Sequence, residues 1–236
     1  YFKRIIIAGD GGEALQLVRS HVPDIIVSDV MMPRMNGYKL CKTIKEDINI
    51  SHIPVILLTA RDDRQSQISG YKNGADGYLS KPFEVEMLME LIRNRLKNRE
   101  YTKKRYLNAG LIPTPEESTI SLTDETFLIK LNSIIQENIE NSNLGIQFIC
   151  QEVGLGRSSL YNKLKALTGM GANEYISKLR IEKAITLISG TDMPFSEIAE
   201  KTGFTTPSYF STAFKQYTGE TPSQYKERKK KGLADK

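Results

Sequence analysis

Short runs of Ile, Val and Leu alternate with amphipathic stretches over the first hundred or so residues, and then the pattern changes character. Arg4–Ala8, Asp24–Asp29, Pro54–Thr59 and Gly77–Ser80 are β-rich. Between and after them, Gly12–Val22, Asn36–Asp47, Arg64–Asn73 and a stretch from Glu84 to Arg99 place apolar residues at helical spacing. Strands alternating with helices predict βα units and a parallel sheet covered on both faces, a doubly wound α/β arrangement. Lys97–Arg105 is charged, and Asn108–Thr126 holds Gly110, Pro113 and Pro115 with no apolar periodicity, which predicts a linker. From Phe127 onward the pattern is helical throughout. The expected division is an α/β domain over 1–100, a linker over 101–126 and an all-α domain over 127–231.

The helical part repeats itself. Ile149–Leu155 falls on Ile198–Phe204 at an offset of 49, and from there the offset is 50: Ser158, Leu160, Asn162, Leu164, Lys165 and Thr168-Gly169 fall on Ser208, Phe210, Thr212, Phe214, Lys215 and Thr218-Gly219. One extra residue in the second turn explains the slip. Each copy reads as a short helix, a turn containing Gly, and a second helix with one apolar and one small-polar face. That is the grammar of a helix-turn-helix, and two copies in tandem make the reading specific.

Composition adds a bias. The net charge of +5 is uneven: residues 126–236 carry 15 basic against 11 acidic side chains, whereas 1–96 carry 13 against 12. The excess in the helical half favours a polyanion partner there. Cys41 and Cys150 lie far apart with no CxxC pairing, which suits a reduced, cytoplasmic protein with two small core residues. His21 and His52 are isolated, which argues against a zinc site, and no apolar run approaches membrane-spanning length.

Chemistry is carried by the ends of the β-rich runs. Asp29 closes one, Thr59 closes the next, and Lys81 follows the last. In a doubly wound sheet the carboxyl ends of parallel strands form one rim, where ligands bind. An acid, a hydroxyl and an ammonium on that rim suit phosphoryl transfer. Asp29 would attack phosphorus, Thr59 would hydrogen-bond a phosphoryl oxygen, and Lys81 would neutralise charge.

With these residues in place, residues 3–98 resemble the receiver domain of two-component response regulators. Asp29-Val30-Met31-Met32-Pro33 with Asn36-Gly37 resembles the family's phosphoacceptor loop, Leu57-Leu58-Thr59-Ala60 its switch hydroxyl, and Ser80-Lys81-Pro82-Phe83 its lysine turn. The resemblance implies that Tyr78 is the switch aromatic and that the Lys81–Pro82 peptide is cis. It also implies Mg²⁺ held by Asp29, the Met31 carbonyl and an acidic pair after the first strand. Arg4–Ala8 and Gly11–Leu15 resemble the family's second strand and helix, so the first strand and helix, and the acidic pair with them, are expected to be absent. Asp10 reads as a turn residue. Without its central first strand the receiver is expected to have unpaired edges and to bind Mg²⁺ poorly.

Residues 127–228 resemble the DNA-binding domain of the AraC family of transcription regulators, most specifically through Gly203–Lys215 and Tyr217–Tyr225. Glu174–Ser189 reads as the helix linking the two units. The stripes Leu160, Leu164, Leu167 and Phe210, Phe214, Tyr217 are core by spacing. Ser158 with Asn162, and Ser208 with Thr212, sit one turn apart on the other face and are the candidates for base-edge contact in the major groove. Arg157, Thr206 and Lys215, with Lys163 and Lys165, are candidates for gripping phosphates. Two such units can enter successive major grooves about 34 Å apart.

These readings converge on a DNA-binding transcription regulator that accepts phosphate on Asp29 and is not itself an enzyme. The implied partners are double-stranded DNA, a sensor histidine kinase and RNA polymerase, with a dimer expected on DNA. The arrangement, with Ser51-His52-Ile53-Pro54 ahead of the fourth strand, looks like the C-terminal end of hybrid two-component proteins, and the first residue is Tyr, as in a fragment of something longer. The alternative is a degenerate, phosphate-blind receiver serving only as a dimerisation or docking module.

Overall fold

The computed structural model describes residues 2–60, 74–109 and 121–234. The helix predicted over Arg64–Asn73 lies outside the described residues. The chain forms two compact units, one of Tyr1–Phe127 with Lys165–Gly169, the other of Leu128–Leu164 with Met170–Lys236.

In the first unit β1 (Ile26–Asp29), β2 (Val55–Thr59) and β3 (Gly77–Ser80) form a parallel sheet in the order β1-β2-β3. Val55, Ile56 and Leu57 of the middle strand have no solvent exposure, as expected of a parallel strand covered on both faces. Helices α1 (Gly11–His21) and α2 (Gly37–Glu46) supply Val18, Leu40, Cys41 and Ile44 to a core shared with Ile26, Val30, Ile50, Ile53, Val55 and Leu57. Asp10, expected as a turn residue, is the N-cap of α1, its carboxylate accepting from the Gly12 and Glu13 N–H groups at 2.7 and 3.0 Å. A third helix, α3, spans Val85–Ala109.

Two expectations fail here. Arg4–Ala8 forms no strand, and Ile5 and Ile7 are 72% and 84% exposed. A β-rich run becomes a strand only when a neighbour accepts its ladder, and among the described residues none lies beside it. The stretch expected to begin the linker at residue 101 is helical as far as Ala109, and α4 (Leu122–Glu137) begins before its expected end at 126. Lys and Arg, which make up most of the basic run Lys97–Arg105, are good helix formers and continue a helix without needing an apolar stripe.

The repeats are two helix pairs, α5 (Ile146–Val153) with α6 (Arg157–Thr168), and α8 (Phe195–Lys201) with α9 (Pro207–Thr218). They are joined by α7 (Ala172–Gly190) and followed by α10 (Pro222–Ala234). The second pair packs through Ile181, Ala184 and Ile188 of α7 against Ile198, Ala199, Phe204, Phe210 and Phe214. Phe210, Phe214 and Tyr225 meet edge to face with centroids 5.5–5.7 Å apart, the arrangement aromatic quadrupoles prefer. Gly154 and Gly203 occupy the equivalent turns with φ of 73° and 71°, a left-handed conformation that glycine adopts without a Cβ clash. Among the described residues no helix is long and apolar enough to cross a membrane.

Candidate phosphoacceptor rim and nucleic-acid interface

The parallel register brings the three rim residues to one edge. Asp29 ends β1 opposite Leu58, and Thr59 ends β2 opposite Ser80, the residue before Lys81. The Lys81 ammonium is hydrogen-bonded to an Asp29 carboxyl oxygen, and the Met31 N–H donates to the other at 3.1 Å. Partial burial pushes the Asp29 carboxyl up. The Lys81 bond, the Met31 N–H, the Lys81 charge and the Val30 N–H outweigh it, so Asp29 is held below the usual carboxylate range. Thr59 is buried, and its carbonyl accepts from the Lys81 N–H at 2.6 Å, tying the lysine turn to the hydroxyl-bearing strand. The Lys81–Pro82 peptide is cis, as expected.

The loop after Asp29 is fixed by its backbone. Val30 N–H donates to the Leu58 carbonyl at 2.8 Å, and Gly37 N–H donates to the Val30 carbonyl at 3.0 Å. A Cβ on Gly37 would lie 2.3 Å from the Asp29 carbonyl oxygen, so only glycine lets α2 start this close to the acidic residue. Asn36 caps that helix through the Lys39 N–H at 2.9 Å. Tyr78 is half-buried on β3, stacked on Tyr38 of α2 with centroids 6.4 Å apart and the two hydroxyls hydrogen-bonded. The Asn36-Gly37 signal was visible in the sequence. The tyrosine pair was not, because the residues are forty positions apart.

For a divalent cation the donor set is short. Mg²⁺ asks for six oxygens in near-octahedral geometry, usually from one or two carboxylates with waters and phosphate oxygens. Here Asp29 is the carboxylate at the rim, with the Met31 carbonyl two residues on. Asp10 spends its oxygens on the α1 cap and on Arg34, to whose guanidinium it is paired. Among the described residues no cluster of three or more acidic, His or Cys side chains is placed to hold a metal. The described residues do not make a receiver-type Mg²⁺ site.

Helix α6 exposes Arg157, Ser158, Tyr161, Asn162 and Lys165, and α9 exposes Ser208, Tyr209, Thr212 and Lys215. The four base-contact candidates therefore lie on accessible faces. Lys215 falls seven residues after Ser208 and three after Thr212, on the same stripe. Arg157 donates to Gln147 at 3.3 Å across the first helix pair. Thr206 caps α9, its hydroxyl accepting from the Tyr209 N–H at 3.1 Å, which leaves its proton available to a phosphate. The Thr212 hydroxyl donates to the Ser208 carbonyl at 3.0 Å.

Lys163 does not join them. It is fully buried, and its expected role as a phosphate contact is withdrawn. Spacing explains the error: Lys163 follows Leu160 by three and precedes Leu167 by four, so it shares the inward stripe of α6. The sequence reading also missed Tyr161 and Tyr209, 54% and 57% exposed on α6 and α9. The signal for Tyr161 was its place three residues after Ser158.

Comparison with known proteins agrees with both halves. Residues 2–93 match the response regulator receiver domain family and residues 149–228 a helix-turn-helix domain family. The chain is 42% identical over 224 residues to histidine kinase P4 of Formosa agariphila, covering 95% of this chain and 16% of that protein. It is 30% identical over 181 residues to the probable transcriptional regulator ycf29 of Pyropia yezoensis, covering 72% of this chain and 82% of that one. Among solved structures it is similar to the C-terminal domain of AraT, a response regulator from Geobacillus stearothermophilus, with 31% identity, 43% of this chain and 84% of that chain covered, and a TM-score of 0.41. The chain belongs to the response regulators of two-component systems, as a receiver domain followed by an AraC-type helix-turn-helix domain.

Proposed function

We propose that Asp29 accepts a phosphoryl group and that this controls sequence-specific DNA binding by the outward faces of α6 and α9. The observation that carries the reading is the Lys81–Asp29 ion pair on a rim where Thr59 closes the adjacent strand. An Asp29 carboxyl oxygen bonds to phosphorus as the bond between phosphorus and its donor breaks, leaving an acyl phosphate. The reaction neutralises part of the carboxylate's charge, so Lys81 turns to a phosphoryl oxygen, and the Thr59 hydroxyl donates to another. A sensor histidine kinase is the proposed donor. The match to a protein named histidine kinase P4, of which this chain covers 16%, supports a donor on the same polypeptide. Binding as a dimer and contact with RNA polymerase complete the proposed regulator.

On DNA, Ser158, Asn162, Ser208 and Thr212 read base edges, while Arg157, Thr206, Lys165 and Lys215 hold phosphates. Asn162→Ala should relax sequence choice at one base step by about 1–3 kcal/mol. Lys215→Ala should weaken binding to all sequences alike and lower the salt slope by about one.

A second reading, a phosphate-blind docking module, is favoured by the short metal donor set at the rim. Intact-mass analysis after incubation with acetyl phosphate and Mg²⁺ separates the two. One phosphoryl adduct, lost on Asp29→Ala, supports the phosphoacceptor. No adduct, together with DNA binding indifferent to the phosphodonor, would overturn it in favour of the docking module.

A further inference from the structure

Arg180 lies midway along α7, the helix that joins the two helix-turn-helix units, and its guanidinium reaches towards both. On one side Nη2 donates to the Asn141 carbonyl at 2.6 Å, in the turn that leads into α5 and the first helix pair. On the other, the guanidinium carbon sits 6.0 Å from the ring centroid of Phe204, in the turn of the second helix pair. The two turns also meet directly. A Cβ on Gly203 would lie 2.2 Å from the Ile139 carbonyl oxygen and 2.8 Å from Arg180 Nη2. The Nε of Arg180 is buried with no hydrogen-bond partner among the described residues. Leaving a buried charged donor unsatisfied is unfavourable, so this arginine is poorly explained as a contributor to stability alone.

The second helix pair is already packed onto α7 through Ile181, Ala184 and Ile188. Arg180 adds a tie from that packed pair to the turn before α5, which holds the first pair against rotation relative to the second. We propose that Arg180 is a positioning residue for DNA recognition: it fixes the spacing and relative orientation of α6 and α9, so that the chain accepts its two half-sites at a single separation. The inference rests on the reading of α6 and α9 as the base-contacting helices. Moving one half-site by a single base pair shifts it about 3.4 Å along the duplex and turns it by about 35°. A locked pair of recognition helices cannot follow that change; a loosened pair can.

The test begins with selection by the whole chain from a randomised duplex library, which supplies the two half-sites. Duplexes are then made with the selected spacing and with one base pair more or fewer. The unmodified chain is expected to lose roughly tenfold or more in affinity for either altered spacing, a penalty comparable to a mismatched base pair. Arg180→Met is expected to bind the selected spacing within about threefold of the unmodified chain while its spacing penalty falls to about threefold or less. Arg180→Lys, which keeps a donor for the Asn141 carbonyl, should retain most of the penalty. If Arg180→Met does not fold by circular dichroism, Phe204→Leu, which keeps an apolar side chain but removes the ring beneath the guanidinium, is read in the same way. A folded variant that discriminates spacing as sharply as the unmodified chain, or weakens all three duplexes equally, overturns the assignment. An unmodified chain that selects no sequence would instead remove the DNA-reading interpretation beneath it, a distinguishable result.

Discussion

Gly154 and Gly203 are equivalent in the repeat and nearly identical in backbone conformation, yet their replacement by alanine should have unequal consequences. At Gly154 a new Cβ meets nothing within 4 Å. The substitution there carries only the left-handed conformational cost, about 1–2 kcal/mol, reduced by about 0.4–1 kcal/mol because alanine also restricts the unfolded chain. A net loss of about 1 kcal/mol follows. At Gly203 the same backbone cost applies, and the Cβ also lands 2.2 Å from the Ile139 carbonyl oxygen, with Arg180 Nη2 and Nε at 2.8 and 2.9 Å. The arginine can swing aside, but the carbonyl belongs to the backbone and has to retreat by roughly 1.2–1.8 Å to reach ordinary contact. Overpacking of this kind adds about 1–3 kcal/mol, which brings Gly203→Ala to about 2–4 kcal/mol. Urea unfolding of the two variants, followed by far-ultraviolet circular dichroism, measures the difference. Equal losses within about 0.5 kcal/mol, or a greater loss at Gly154, would refute the argument that surroundings rather than conformation decide the cost.

At the rim, Lys81→Met should raise the Asp29 carboxyl towards its ordinary value, as read by carboxyl carbon chemical shifts through an acid titration. The sign follows from a lowered folded-state value: the stabilisation from pairing is present above the ordinary carboxylate range and lost as pH falls through the lowered one, and the variant should lose that acid sensitivity. On the recognition helix α6, Lys165→Met should lower the salt slope of DNA binding by about one, whereas Lys163→Met should leave it unchanged; equal slopes in the two variants would contradict the burial assignment. Burial pushes the Cys41 thiol up to about 12. Cys41 should therefore resist alkylation in the folded chain at mildly alkaline pH and react once the chain is unfolded; rapid labelling of Cys41 without unfolding would count against a packed first unit.

What the sequence made legible was whatever depends on local spacing. The ends of three strands, the helix beginning near Asn36 and the duplicated helix pairs all follow from periods of two and 3.6 with Asn and Gly at the boundaries. What it hid depends on partners. Ile5-Ile6-Ile7 has the composition of a strand, but strand formation is a property of a pair, and no neighbour lies beside it among the described residues. Residues 101–105 were mistaken for linker because charge was read as absence of structure, when Lys and Arg extend a helix readily. Lys163 was misplaced because its chemistry was weighed before its position on the helix. The Asp29–Lys81 contact could be inferred because parallel strands share a rim; the Tyr38–Tyr78 contact and the Arg180 ties could not, since no periodicity relates their members.

The hydrogen bond from the Thr212 hydroxyl to the Ser208 carbonyl has a consequence for the duplex. On the proposed reading of Thr212 as a base contact, with its proton committed inside α9 the oxygen would meet a groove as an acceptor, suited to the amino groups of adenine or cytosine and ill-suited to the oxygens of guanine or thymine. Asn162, its counterpart on α6, has an amide that both donates and accepts, and can engage adenine on both of its major-groove groups. A duplicated fold is therefore not a duplicated text. The two halves of a DNA site for this chain are expected to differ in base sequence, giving the operator a direction that a pair of identical readers would not impose.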